Sequence, residues 1–133
     1  RCYNDKEITL RVFKTKRFAK WAKKEKLGDD ALCGAVKEIS QGLVEAKLGE
    51  LVYKKRVASR GRGKRGSSRT LVAFQYKTRA FFMFGFEKNK LSNIAAVELS
   101  QLNIMADRFV NFNDAELRYA LDESELIEVI YYE

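Results

Sequence analysis

The run Ala80-Phe-Phe-Met-Phe-Gly-Phe86 restricts the fold more than any other part of this chain. Successive side chains of a strand point to opposite faces, so a strand apolar on both cannot sit half in water. It has to be central in a sheet. Two further strands are predicted around it. One spans Leu51 to Val57; the other spans Thr70 to Tyr76, with Thr70, Val72, Phe74 and Tyr76 on one face. Lys77-Thr78-Arg79 is short enough to turn a hairpin between the second and the central strand. Earlier in the chain, Ile8, Leu10 and Val12 alternate with Thr9 and Arg11, which predicts a half-buried strand.

Helical spacing fills the gaps between these strands. A first helix is predicted from Lys16 to about Lys26, with Phe18, Trp21 and Ala22 as its apolar stripe and Gly28 ending it. Asp29 or Asp30 then caps a second helix reaching about Ala46, its inner face formed by Leu32, Val36, Ile39 and Leu43. From Ser92 a third helix shows Ala95, Leu99, Leu102, Ala106 and Phe109 on one side. Asn113 caps a short last helix, supported by Glu116 three positions on, with Leu117 and Leu121 turned inward. The chain closes on a strand-like segment, Leu126 to Tyr132. The expected fold is α+β: a small, mainly antiparallel sheet backed by an N-terminal helical hairpin, with C-terminal helices. Residues 1–133 are read as one domain, with a basic core over 10–90 and an acidic helical segment over 91–133.

The net charge of +8 conceals that division. Residues 1–90 hold 24 Lys and Arg against 9 Asp and Glu, a net of +15; residues 91–133 hold 2 against 9, a net of −7. Polarity of this kind concerns partners and not fold. The basic part expects a polyanion, and the acidic segment is a candidate to cover some of that surface. Several chemistries drop out. There is no histidine, so imidazole mechanisms are excluded. Cys2 and Cys33 are the two cysteines; without a CxxC they suggest neither a zinc site nor a disulfide scaffold, and Cys33 reads as a small buried residue of the second helix. Gly61-Arg-Gly-Lys-Arg-Gly66 joins two strands and opens no helix, so no dinucleotide cofactor is expected. No apolar run approaches the roughly 20 residues that cross a bilayer, and the first seven residues lack the apolar stretch of a secretory signal. A reducing cytoplasm fits these features.

Cations concentrate on the predicted sheet. The two-residue period puts Lys54 and Arg56 on one face of their strand and Leu51, Tyr53, Lys55 and Val57 on the other. The glycine-rich segment that follows adds Arg60, Arg62, Lys64 and Arg65; Arg69 opens the next strand, and Lys88, Asn89 and Lys90 leave the central one. Pairing of the strands in sequence order brings these groups together. Tyr53 and Phe86 lie close enough in sequence to stack on unpaired bases.

Several segments are similar to RelE/HigB-type toxins of type II toxin–antitoxin pairs: Arg11 to Glu25, Val52-Tyr-Lys-Lys-Arg-Val-Ala58, Arg60 to Gly66, Arg69-Thr-Leu-Val-Ala-Phe74 and Phe82 to Asn89. The likeness runs over about residues 10–132, and residues 1–9 have no counterpart in it. It implies a protein antitoxin of helix-turn-helix kind and ribosome-dependent cleavage of messenger RNA without metal or small-molecule cofactor. By position it assigns catalysis to Lys54, Arg56, Arg69 and Lys88, and RNA binding to Lys55, Arg60, Arg62, Lys64, Arg65, Asn89 and Lys90. Asn89 stands where many relatives carry arginine, with Lys90 beside it as a substitute; the tyrosine or histidine of some relatives has no counterpart at Ile94-Ala95. Cations can cleave RNA by directing its 2′-hydroxyl onto the adjacent phosphate. Arginine forks onto two phosphate oxygens, and a lysine among like charges gives up its proton more readily. Arg56 and Arg69 are assigned to charge stabilisation and Lys54 to the base, with the proton donor open. Two alternatives remain at this level: a ParE-like gyrase poison on the same scaffold, and a non-catalytic RNA- or ribosome-binding protein.

Overall fold

A computed structural model describes residues 2–3, 10–58, 67–75, 78–86 and 96–132. In chain order the elements are β1 (Cys2–Tyr3), β2 (Arg11–Thr15), α1 (Lys16–Lys24), α2 (Asp29–Ser40), β3 (Ala46–Lys47), β4 (Val52–Ala58), β5 (Ser67–Gln75), β6 (Arg79–Phe86), α3 (Ala96–Val110), α4 (Asp114–Asp122), β7 (Leu126–Val129) and β8 (Tyr131–Tyr132). The main sheet has the order β3-β4-β5-β6-β2-β7. All its pairings are antiparallel except β2 with β6, and β1 and β8 form a separate parallel pair. The fold is α+β. Its helical pair follows two strands and so does not open the chain.

The sheet is covered on both faces. Val12, Val57, Val72, Phe74, Ala80 and Phe82 pack under α1 and α2 with Phe18, Leu32, Val36 and Ile39. Phe13, Val52, Leu71, Ala73, Phe81 and Phe86 pack under α3 and α4 with Ala106, Phe109, Phe112 and Leu117. The central position predicted for Ala80 to Phe86 is what this arrangement requires. The early strand differs from its prediction, because Val12 and Phe13 are both fully buried and enter opposite cores. It is therefore an interior strand and not half-solvated. Ile8 lies outside the described residues.

Thr15 links strand to helix. Its Oγ accepts the Phe18 amide as the N-cap of α1 and donates to the Met83 carbonyl of β6. Met83 sits where the β5–β6 register shifts, from Leu71 opposite Phe84 to Val72 opposite Phe82. Glycine was expected to stop α1 at position 28, but Lys26 stops it two residues earlier. Its φ of 59° allows Lys26 to donate to Lys23 and Leu27 to Ala22, the double bond of a Schellman turn. Gly28 is instead the N-cap of α2.

The second helix ends at Ser40, well short of Ala46. Gly42, at φ 84°, donates to Ile39, and Leu43 donates back to Glu38. Leu43 is consequently 54% exposed and not part of the inner face. Asn113 caps α4 with a reciprocal Asn113–Glu116 capping box, as predicted. Cys33 is buried in α2, as expected, but it is disulfide-bonded, which corrects the expectation that the cysteines form no disulfide. Among the described residues no helix is long and apolar enough to cross a membrane.

Gly85 shows how closely α1 lies on the sheet. A methyl group there would fall 2.2 Å from Cε3 of Trp21, so the indole occupies the space a side chain would need. Gly85→Ala is expected to lower stability by about 1–3 kcal/mol through overpacking, read from urea unfolding. An unchanged midpoint would mean that Trp21 is free to move aside.

Candidate nucleic-acid interface

The face of the sheet under α3 carries the predicted cluster. Val52 on β4 packs into the α3 core, and the two-residue period puts Lys54 and Arg56 on the same side. The strand registers then decide who meets whom. Lys54 lies opposite Leu71, Arg56 opposite Arg69, and Arg69 in turn opposite Phe86. Directly opposed residues have their Cβ atoms about 4.5–5.5 Å apart, so Arg56 and Arg69 present two guanidinium groups as one cross-strand pair. Two like charges so placed repel each other unless an anion sits between or beside them. Arg56 is exposed; Lys54 and Arg69 are half-buried, and Arg69 has interactions of its own. Described β6 ends at Phe86, opposite Arg69. The predicted Lys88, Asn89 and Lys90, and the loop cations Arg60, Arg62, Lys64 and Arg65, lie outside the described residues.

Lys55 does not face this surface, a correction to its expected RNA contact. It is 5% exposed, and its Nζ donates to the Leu43 carbonyl at 2.8 Å while pairing with Glu38 Oε1 at 3.0 Å. Glu38 lies in the last turn of α2 and Leu43 just beyond its end, so the ammonium sits where the helix dipole favours a cation. Lys55 thus fastens β4 to α2, which fixes the strand bearing Lys54 and Arg56. Tyr53 shares that face, edge-on to Phe74 at 6.0 Å, and so cannot stack on a base at the cluster. Phe86 is on the cluster's face but only 5% exposed.

One participant was missed from sequence. Glu45 precedes β3, where its backbone N–H donates to the Lys54 carbonyl at 3.0 Å, and its carboxylate accepts the Arg56 amide at 2.8 Å. An exposed carboxylate is thereby held against the backbone of β4 at Arg56. Nothing in the periodicity marks it, because the residue lies in the connection that was assigned to helix.

Several acidic side chains of the C-terminal segment pair elsewhere. Glu128 holds Arg11 by two bonds of 2.9 and 3.0 Å, Asp114 lies 3.7 Å from Arg79, and Glu125 lies 2.8 Å from Arg108. The first of these raises the pKa of the Arg11 guanidinium. These carboxylates neutralise cations of β2, β6 and α3, leaving Lys54 and Arg56 to other anions. Among the described residues no cluster of acidic or cysteine side chains could hold a metal ion.

A covered sheet with an arginine pair, a lysine and a carboxylate on one face defines a small α+β protein with a cation-lined surface. Residues 10–129 match the family described as the RelE toxin of the RelE/RelB toxin–antitoxin system, and the chain belongs to that family. It is therefore the toxin of a toxin–antitoxin pair, with an antitoxin as partner. No curated protein matches the chain.

Proposed function

We propose that this toxin is a metal-independent endoribonuclease that cuts messenger RNA on the ribosome. The observation that supports it most is the cross-strand pairing of Arg56 with Arg69 on the face that also carries Lys54. In this reading a phosphate of the RNA sits against the two guanidinium groups of that pair. Bidentate hydrogen bonds to its oxygens orient it and neutralise charge that grows as the 2′-oxygen attacks. The 2′-hydroxyl proton passes to Lys54 or to Glu45, both at the β3–β4 edge. Lys88, two residues beyond Phe86 in sequence, gives the departing 5′-oxygen its proton as the P–O5′ bond breaks, leaving a 2′,3′-cyclic phosphate and a 5′-hydroxyl. Arg60, Arg62, Lys64, Arg65, Asn89 and Lys90 add contacts to the RNA. The antitoxin is of helix-turn-helix kind.

Glu45 separates two versions of the chemistry. If its carboxylate takes the proton, Glu45→Gln lowers the cleavage rate by about 100-fold or more while RNA affinity holds. If Lys54 takes it, that substitution leaves the rate near that of the unaltered protein. Single-turnover cleavage of ribosome-bound message at several pH values reads the difference. The target itself is tested by primer extension on translated mRNA beside a gyrase supercoiling assay. Inhibited supercoiling with intact message would replace the nuclease by a gyrase poison, and tight RNA binding with neither effect would leave a binding protein.

A further inference from the structure

Helix α1 carries a second concentration of charge that the reading above does not use. Of its nine residues, Lys16, Arg17, Lys20, Lys23 and Lys24 are cationic, all are exposed, and no acid lies in its first turn. Lys16, Lys20 and Lys24 recur every fourth residue and so form a single ridge. With Arg17 and Trp21 they line an open groove. The indole is fixed there, because one of its edges lies against Gly85 and its ring is 5.4 Å from that of Phe18.

This groove is joined to the sheet cluster. α1 belongs to the layer on the opposite side of the sheet, yet Arg17 reaches around to place its guanidinium 4.6 Å from the centre of the Phe84 ring. Phe84 lies opposite Leu71, on the face that bears Arg69 and Arg56, and its ring stacks on Phe86 at 6.4 Å. Phe86 in turn lies opposite Arg69, which lies opposite Arg56. The steps Lys24, Lys20, Arg17, Phe84, Phe86, Arg69 and Arg56 therefore run from helix to cluster as cations interrupted by two stacked aromatic rings. A charged groove that tracks a backbone, with rings for unpaired bases, is the chemistry that holds single-stranded nucleic acid.

We infer that the α1 groove is a second binding site, for the phosphates of the single-stranded RNA segment that flanks the nucleotide held at the sheet cluster. The inference rests on the RNA-directed reading of that cluster. Arg17 and Phe84 form the threshold between the two sites: the guanidinium contacts a phosphate on one side and is kept in place by the ring on the other. The ridge lysines grip by charge alone, which makes this site indifferent to sequence and sensitive to salt.

The test compares labelled RNA single strands of about 16 and about 4 nucleotides, lengths that bracket one strand-binding module, by fluorescence anisotropy. The combined Lys16→Gln, Lys20→Gln and Lys24→Gln variant keeps helix-forming side chains, and its circular dichroism is checked first. It is expected to bind the long strand about tenfold more weakly, with a salt slope shallower by about 2, three contacts at roughly 0.7 each. Its affinity for the short strand stays that of the unaltered chain. Arg56→Ala with Arg69→Ala weakens both strands. Equal binding of the long strand by the triple variant overturns the groove and spares the cluster. Loss confined to an RNA duplex overturns the assignment to single strands. If the triple variant loses the long strand while the double arginine variant loses nothing, the groove stands and the cluster falls. Absence of binding by the unaltered chain overturns both.

Discussion

Removing either guanidinium of the cross-strand pair, by Arg56→Ala or Arg69→Ala, is expected to slow mRNA cleavage by about 100- to 1000-fold, the usual cost of one preorganised donor at developing charge. The fold should survive. Arg56 is exposed on β4 and lies outside both apolar cores, and the Arg56–Arg69 pairing is one of seven along the β4–β5 ladder. The double variant should lose little more than the worse single, because the two groups hold one phosphate and act as a unit. Lys55→Met is the matching control on the same strand. It strips α2 of its C-terminal cation, so it lowers stability and leaves the outward face as it was. Cleavage measured by primer extension, with growth arrest as a second readout, decides the matter. Folded Arg56→Ala and Arg69→Ala proteins that both still cut message at the normal rate would rule this pair out of the chemistry.

Phe81→Ala is expected to cost about 3–5 kcal/mol, enough to endanger a domain whose total stability is of the order of 5–15 kcal/mol. Phe81 is fully buried at the middle of β6, and its ring stacks at 5.1 Å both on Phe13 of β2 and on Phe109 of α3. Truncation leaves a cavity between sheet and helix that neither neighbour can fill without leaving its own partner; Phe109 also packs on Phe112 at 5.7 Å. The melting temperature should fall by about 10–20 °C for a domain of this size. Thermal and urea unfolding measure it, and a loss under about 1 kcal/mol would show that α3 is not seated on β6 as described. The same substitution is far from Arg56 and Arg69 in register, so any remaining folded protein should keep its affinity for short RNA.

The strands were legible because burial writes itself into alternation. Ala80 to Phe86 announced a central strand, and Asn113 with Glu116 announced a helix start, since each signal is local and has few rival explanations. The misreadings share a cause too. Gly28 marks no helix end, because Lys26 adopts the left-handed conformation two residues earlier, at φ 59°, whereas Gly42, at φ 84°, ends α2 well before Ala46. Glu45 falls in the residues between the end of α2 at Ser40 and Ala46, where helical periodicity continues past the helix, and Lys55 is turned to α2 by partners that its own strand does not reveal.

What the chain's own order of residues determined is the layer pattern: which runs are strands, which stripes face inward, and that Lys54 and Arg56 share a side. Those depend on the two-residue and 3.6-residue periods, which are properties of neighbours along one backbone. Tertiary structure alone decided that Arg56 meets Arg69, that Lys55 turns to α2, that β2 lies between β6 and β7, and that Arg17 reaches Phe84. Each of these is set by register or by packing between segments distant in sequence. A shift of one residue in pairing would send every side chain of a strand to the opposite face.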